Sequence, residues 1–140
     1  MTAPREFAHG HWKQLALTFD AALARLPDAL KAEGFGVITE IDMQATLKAK
    51  IGVDFRRYRI FGACNPKLAH GALLQDLHVG VLLPCNVVLY ETDAGTAMVG
   101  AIDPVQTLGA GGQVPALTEV ARDVGERLDR VLAAMATPVP

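Results

Sequence analysis

Cysteine is scarce in this sequence, since only Cys64 and Cys85 occur among its 140 residues. They form no CxxC motif, and two sulfur atoms fall short of the four Cys or His ligands that structural zinc sites usually have. With 51% hydrophobic residues, the chain can also bury a full core without cross-links. The sequence therefore argues against a disulfide-rich scaffold and against a structural zinc domain.

An excess of positive charge is also missing. The chain has 13 basic and 15 acidic residues, whereas nucleic-acid binding driven by bulk charge needs a basic surface. The longest nearly apolar run, VGVLLPCNVVLY at residues 79–90, is too short to span a bilayer. The N-terminus, MTAPREFAHGHW, has no apolar core of a signal peptide. We therefore expect a cytoplasmic protein with reduced thiols and with no nucleic-acid or membrane partner.

The hydrophobic pattern predicts one α+β domain over residues 12–136, between a loose leader at 1–11 and a frayed tail at 137–140. The predicted order is β-α-β-α-β-α-β-β-α. The strands lie at 12–17, 35–41, 58–63, 79–91 and 96–102, and the helices lie at 19–33, 43–51, 66–75 and 115–135. We expect a two-layer sandwich in which helices back one face of a mostly antiparallel sheet. The other face would then need cover, and a second copy of the chain could supply it.

Three local signals shape this prediction. Thr18, Asp42 and Asn65 are suitable N-cap residues, and Pro66 follows Asn65 at the first helical position. Pro27 lies inside the first helix and should kink or split it, because proline removes a backbone hydrogen bond. Pro84 cannot donate to a strand ladder, so we expect a bend or bulge at 84–86.

The two cysteines are the residues that most suggest chemistry. Cys64 precedes a predicted helix N-terminus, whose dipole and free amides favour a thiolate. Cys85 follows the expected bulge, which would aim its side chain at a site. Both cysteines should lie on neighbouring strand ends, where a disulfide is a possible reversible state and not a fixed cross-link. The alternative for both is packing, because free cysteine is among the most buried residue types.

An asparagine follows each cysteine, and both asparagines have two interpretations. Asn65 can cap a helix and Asn86 can satisfy backbone groups at the bend. Alternatively, their amides recognise a polar ligand between the two loops. The candidate ligand-binding set is therefore Cys64, Asn65, Cys85 and Asn86.

The histidines are weaker candidates. His70, on the helix after Cys64, and His78, before the next strand, could approach a cysteine and contribute to a metal or haem site. A lone helical histidine is more often an ordinary surface residue. His9 and His11 fall in the predicted leader and are expected to be solvated.

Longer stretches of the chain resemble a known family. FGVITEIDMQATLKAKIGVDFRRYRIFGACNP, LAHGAL, VGVLLPCNVVLYE and AIDP, followed by an amphipathic helix, together resemble the domain-of-unknown-function 302 family over residues 12–135. The signature falls on Gly62, Cys64, Asn65, Pro66, Leu83, Pro84, Cys85 and Asn86. The resemblance implies a small cytosolic homodimer with a TATA-binding-protein-like α+β fold and a curved antiparallel sheet. It implies no established reaction, although sulfur-oxidation and redox settings of relatives favour thiol or sulfur handling.

Two hypotheses about function follow. In the first, the protein is a homodimeric binding module, more a binder than an enzyme, whose GACNP and LLPCN loops form a pocket for a small ligand or a haem- or metal-type cofactor. In the second, it is a thiol-redox or sulfur-transfer protein in which Cys64 reacts and Cys85 resolves the intermediate.

Overall fold

A computed structural model describes residues 9–107 and 115–136 of the chain. The strands are β1 (Gly10–Thr18), β2 (Gly36–Asp42), β3 (Tyr58–Cys64), β4 (Cys85–Glu91) and β5 (Thr96–Ile102). The helices are α1 (Phe19–Ala32), α2 (Met43–Ile51), α3 (Pro66–Gln75), α4 (Pro104–Thr107) and α5 (Pro115–Ala136), and a 3₁₀ helix spans Leu77–Leu82. All pairings are antiparallel in the order β1-β5-β4-β3-β2. The predicted α+β class and antiparallel sheet are confirmed.

The predicted caps begin three of the helices. The side-chain oxygens of Thr18, Asp42 and Asn65 each accept a hydrogen bond from the backbone amide three residues later. Each bond satisfies an amide that has no partner inside its helix. These helices therefore start at the residues that the local sequence specifies.

The core lies between the sheet and the pair of helices α1 and α5. The sheet contributes Phe61, Val87, Leu89 and Val99, and the helices contribute Leu26, Leu30, Leu128 and Leu132, all at most 2% exposed. The buried strand residues occupy alternate positions, so they lie on one face of the sheet and make that face apolar. Within the described residues, none of the helices is long and apolar enough to cross a membrane.

The opposite sheet face carries an aromatic cluster. The rings of Tyr58 and Tyr90 stack 5.7 Å apart, and Trp12 lies 6.1 Å from Tyr90. Trp12 covers Gly100, where an added Cβ would meet the indole ring. All three rings stay partly exposed.

Edge strand β2 and helix α2 bury little of their apolar surface. None of the residues of α2 is buried, so its apolar residues Met43, Leu47 and Ile51 do not reach the core. Ile38 and Ile51 are 61% and 66% exposed. The second copy expected over the opposite sheet face stays a prediction, and the exposed apolar side chains of this edge are a further surface for it.

The segment before β4 differs from the prediction. Residues 79–83 are not a strand, because Asp76 accepts a hydrogen bond from the amide of His78 and starts the 3₁₀ helix. Strand β4 begins only after Pro84. The bend expected at 84–86 lies at Pro84, whereas the register of β4 with β3 has no shift at Cys85, so the alternative of a bulge is wrong.

Two other features also differ from the prediction. Helix α1 continues through Pro27 and is not split there, because its buried face on both sides of the proline, including Ala22 and Leu30, packs on the core. Strand β1 begins at Gly10, which places His11 in the sheet and not in a leader. The sequence GAGG at 109–112, which is typical of a flexible link before the last helix, lies outside the described residues.

Candidate functional site

The ends of two neighbouring strands bring the cysteines together. Cys64 is the last residue of β3 and Cys85 is the first residue of β4, and Ala63 pairs directly with Cys85. This is the placement on adjacent strand ends that the sequence predicts. Both cysteines are free thiols.

The glycine and proline of the two loops are needed for this approach. An added Cβ at Gly62 would lie 2.7 Å from Cγ of Pro84, a contact that real Cβ atoms do not make. The pyrrolidine ring therefore packs over the glycine of the neighbouring strand. This close packing sets the chain direction immediately before Cys85.

Asn65 holds the helix that follows Cys64. Its Oδ1 accepts a hydrogen bond from the Leu68 amide at 3.3 Å, and its Nδ2 donates to the Glu33 carbonyl at 3.5 Å. Gly34, with φ of +85°, leaves room for this amide, since an added Cβ would lie 2.8 Å from Nδ2. Asn65 thus ties the start of α3 to the end of α1.

A cavity of about 310 Å³ opens beside the two cysteines. The strand ends, the loop before β4, helix α3 and helix α5 line it. Ala69 and Ala72 of α3 and Val120 and Val124 of α5 belong to this lining. Apart from Asn65, the side chains of the lining are apolar or thiol groups. We call this space the cysteine-lined cavity.

The two thiols differ in environment. Cys85 is only 7% exposed, whereas Cys64 is partly buried. Burial raises the pKa of the Cys85 thiol to about 11, and the nearby Cys64 adds to this shift. Cys85 therefore stays a neutral thiol at physiological pH.

Asn86 does not join the cysteines. Because side chains alternate along a strand, Asn86 faces the side of the sheet opposite to Cys85. There it lines a separate groove of about 280 Å³ with Trp12, Tyr58 and Val88. The structure thus brings together three of the four predicted ligand-binding residues and separates the fourth.

The histidines predicted as weak metal candidates lie away from the cavity. His70 and His78 are both exposed, and His78 has its Nδ1 3.9 Å from Oδ1 of Asp76. Neither lines the cysteine-lined cavity. Across the described ranges 9–107 and 115–136, no three His, Cys, Asp or Glu side chains are grouped so that they could hold a metal ion.

His11 has a structural role that the sequence did not indicate. Its Nδ1 lies 2.6 Å from Asp129 of α5, and its Nε2 lies 3.5 Å from Asp103 after β5. The hydrogen bond to Asp129 raises the pKa of His11, and the charges of both carboxylates add to the shift. The pair links strand β1 to α5, an association of residues 118 positions apart in the chain.

Sequence reasoning also missed most of the cavity wall. The α5 residues Val120 and Val124 come from a distant segment, and nothing near the cysteines points to them. The sequence does contain a signal for Ala69 and Ala72. They are small residues on one side of the helix after GACNP, and small side chains there leave space beside the cysteines.

The sequence and the fold of this chain are both similar to those of known proteins. The family model described as "Domain of unknown function DUF302" matches residues 11–135. The chain is similar to the uncharacterized conserved protein DUF302 from Bacillus stearothermophilus, known from its crystal structure. The two share 32% sequence identity with a TM-score of 0.82, over 92% of this chain and 98% of that one. No curated protein matches the chain.

Proposed function

The chain belongs to the DUF302 family, and we propose that it is a homodimeric binding module that holds a small apolar ligand in the cysteine-lined cavity. The observation that carries this proposal is the cavity itself. Its volume of about 310 Å³ lies at the lower end of the roughly 300–1,000 Å³ typical of small-molecule sites.

The lining favours an apolar ligand. Leu68, Leu73 and Val124 are among the wall residues, and burying apolar ligand surface against such groups is favourable. Asn65 already uses its amide to hold the two helices, which leaves the thiols as the free polar groups of the wall. A strongly polar or charged ligand would lose its hydration there without compensation.

Titration with butylbenzene, followed by amide NMR of the reduced protein, tests the ligand site. We expect shift changes confined to α3, the start of α5 and the two cysteine loops. Ala69→Leu adds volume to the cavity wall and should abolish them, whereas Ala24→Leu makes the same change at an exposed position of α1 and should not. Shift changes spread over the surface, or unaffected by Ala69→Leu, would refute the site.

The dimer is supported by the exposed edge of the sheet. Ile41 of β2, Ile51 of α2, and Val53 and Phe55 after α2 are each more than 40% exposed. Exposed apolar side chains that form a patch mark interfaces, and a stable dimer buries about 800 Å² on each partner. A second copy is the occupant that we propose for this edge.

Sedimentation equilibrium tests the dimer. We expect a mass of twice the 14.9 kDa of one chain, with Ile51→Lys shifting the equilibrium toward the monomer. Leu77→Lys, at an 82% exposed position of the 3₁₀ helix, is the matched control and should leave the dimer intact. A monomeric wild type contradicts the dimer, and dissociation by Leu77→Lys alone would place the interface elsewhere.

The other sequence-based hypotheses stay predictions. The cavity wall provides two sulfur donors for a haem- or metal-type cofactor, which visible absorption and metal analysis of the purified protein would reveal. The thiol-redox alternative needs Cys85 as a nucleophile, and its raised pKa does not favour that role near neutral pH. A cytoplasmic location is expected for free thiols, and fractionation of cells tests it.

A further inference from the structure

The cysteine-lined cavity ends at two sulfur atoms, and these set the chemistry of what it can hold. Asn65 is committed to Leu68 and Glu33. Neither thiol takes part in a hydrogen bond among residues 9–107 and 115–136. Cys85 is thus a polar group that is more than nine-tenths buried, lines the cavity and has no hydrogen-bond partner among the described residues. A ligand that makes a specific polar contact with the cavity side chains must therefore make it with a cysteine sulfur atom.

The size of the cavity points to an organic group. Its volume of about 310 Å³ is about ten times the roughly 30 Å³ that one water molecule occupies in the liquid. A metal ion alone would leave most of this space empty. An aliphatic group would occupy more of it and contact the leucine and valine side chains of the wall.

We propose that Cys64 captures a small organic disulfide, with the apolar group entering the cavity, and that the resulting mixed disulfide is a lasting state of the protein. This proposal rests on the proposed function and names the ligand class. The Cys64 thiolate attacks one sulfur of R–S–S–R, and a new S–S bond forms between Cys64 and the S–R group. The S–S bond of the ligand breaks, and the leaving RS⁻ takes up the proton that Cys64 released. The protein thiol is oxidised while half of the ligand is reduced to RSH.

The difference between the two thiols assigns the attack to Cys64. The thiolate is the attacking species in disulfide exchange. Cys64 is partly exposed at the cavity, whereas Cys85 is almost fully buried and its pKa of about 11 keeps it protonated. Cys64 is therefore the accessible nucleophile.

The same difference explains why the adduct lasts. A neighbouring thiolate would normally attack the mixed disulfide and release RSH, leaving a Cys64–Cys85 disulfide. A rise in the pKa of Cys85 from 9.0 to about 11 lowers its thiolate fraction near neutral pH by roughly 100-fold. The greater nucleophilicity of a more basic thiolate recovers roughly tenfold of this. Resolution is therefore roughly tenfold slower at neutral pH than with a thiol of ordinary pKa, and it accelerates as the pH approaches 11.

The test uses the reduced full-length protein and two disulfides of equal length. Dipropyl disulfide and bis(2-hydroxyethyl) disulfide differ by a methyl group in place of a hydroxyl at each end. Intact-mass and peptide mass spectrometry at pH 7.5 should find one propylthio group on Cys64. It should form about tenfold faster than the hydroxyethyl adduct, because the cavity penalises a buried hydroxyl.

Three variants provide the controls. Cys64→Ser should form no adduct, and the adduct of Cys85→Ser should show no conversion to an internal disulfide at high pH. Ala69→Leu should slow the propyl adduct and leave the hydroxyethyl adduct unchanged. Equal rates for the two disulfides, an adduct on Cys85, or conversion to an internal disulfide within minutes at pH 7.5 would each overturn the proposal.

Butylbenzene binding to Cys64→Ser separates this proposal from the proposed function. If the variant binds butylbenzene and the wild type forms no propyl adduct, covalent capture is wrong and the ligand site stands. If neither binding nor adduct is found, both are wrong.

Discussion

Raising the pH from 8.0 to 10.5 should destabilise the fold through the buried thiol of Cys85. The pKa of this thiol is raised to about 11 in the folded chain, against an ordinary value of 9.0. The unfolded chain therefore releases the proton near pH 9 while the folded chain keeps it. The stability that this group contributes is fully present below pH 9 and is lost as the pH rises through about 11.

The size of the effect follows from the two pKa values. A shift from 9.0 to about 11 corresponds to a limit of about 2.7 kcal/mol in the free energy of unfolding, reached above pH 11. At pH 10.5 about 2 kcal/mol of this should already be lost, and at pH 8.0 almost none. Cys85 is only 7% exposed, so solvent screening removes little of it.

Urea unfolding at both pH values, with a non-thiol reductant present, measures the effect. Cys85→Ala leaves a small cavity whose cost is the same at both pH values. The pH-dependent loss of stability should therefore be about 2 kcal/mol smaller in this variant than in the wild type. Tyr58, whose pKa burial also raises, is present in both proteins, and its contribution cancels.

Cys64→Ala is the matched control, because it removes the partly exposed thiol and keeps the buried one. It should lose stability with pH much as the wild type does, since burial is the larger cause of the Cys85 shift. An equal pH dependence in wild type and Cys85→Ala would show that Cys85 is not held as a buried neutral thiol. The explanation of the lasting mixed disulfide would then fall with it.

Three further predictions concern the scaffold around the site. Gly100→Ala should destabilise the protein by about 1–3 kcal/mol in urea unfolding, because its methyl group collides with Trp12. The control Gly71→Ala, at an open helical position, should be neutral or slightly stabilising. Equal effects of the two substitutions would contradict this packing. His11→Gln should cost more stability at pH 5.5 than at pH 8.5. The pKa of His11 is raised in the folded chain, so its stabilising effect is present at low pH and is lost as the pH rises through that pKa. A cost that does not vary with pH would refute the ion pair. Asn65→Ala should lower the free energy of unfolding by about 1 kcal/mol through loss of the α3 cap, and an unchanged urea midpoint would show that the cap is dispensable.

Local signals accounted for much of the architecture. Thr18, Asp42 and Asn65 cap the helices that they were expected to cap, because capping joins groups only three residues apart. The alternating apolar residues of β4 and β5 likewise predicted strands, since the period of two is built into the extended backbone.

The segment before β4 shows where local patterns mislead. VGVLL at 79–83 has the composition of a strand, yet Asp76 starts a 3₁₀ helix there and only Val79 of this run is buried. Val79 packs in a small second cluster with Leu117 and Ala121 of α5. Contacts with a helix that lies far away in the sequence decided the conformation, and propensity cannot report them.

The sequence by itself determined that Cys64 and Cys85 end and begin two strands, because glycine, proline and asparagine act on their immediate neighbours. Only the tertiary structure decided which face of the sheet packs against the helices and that the two thiols differ in burial. The burial that raises the pKa of Cys85 arises when segments distant in the chain pack together. The cavity beside it exists because α5 contributes Val120 and Val124 to its wall. Desolvation and cavity shape depend on all the surrounding elements at once, so no short stretch of sequence encodes them.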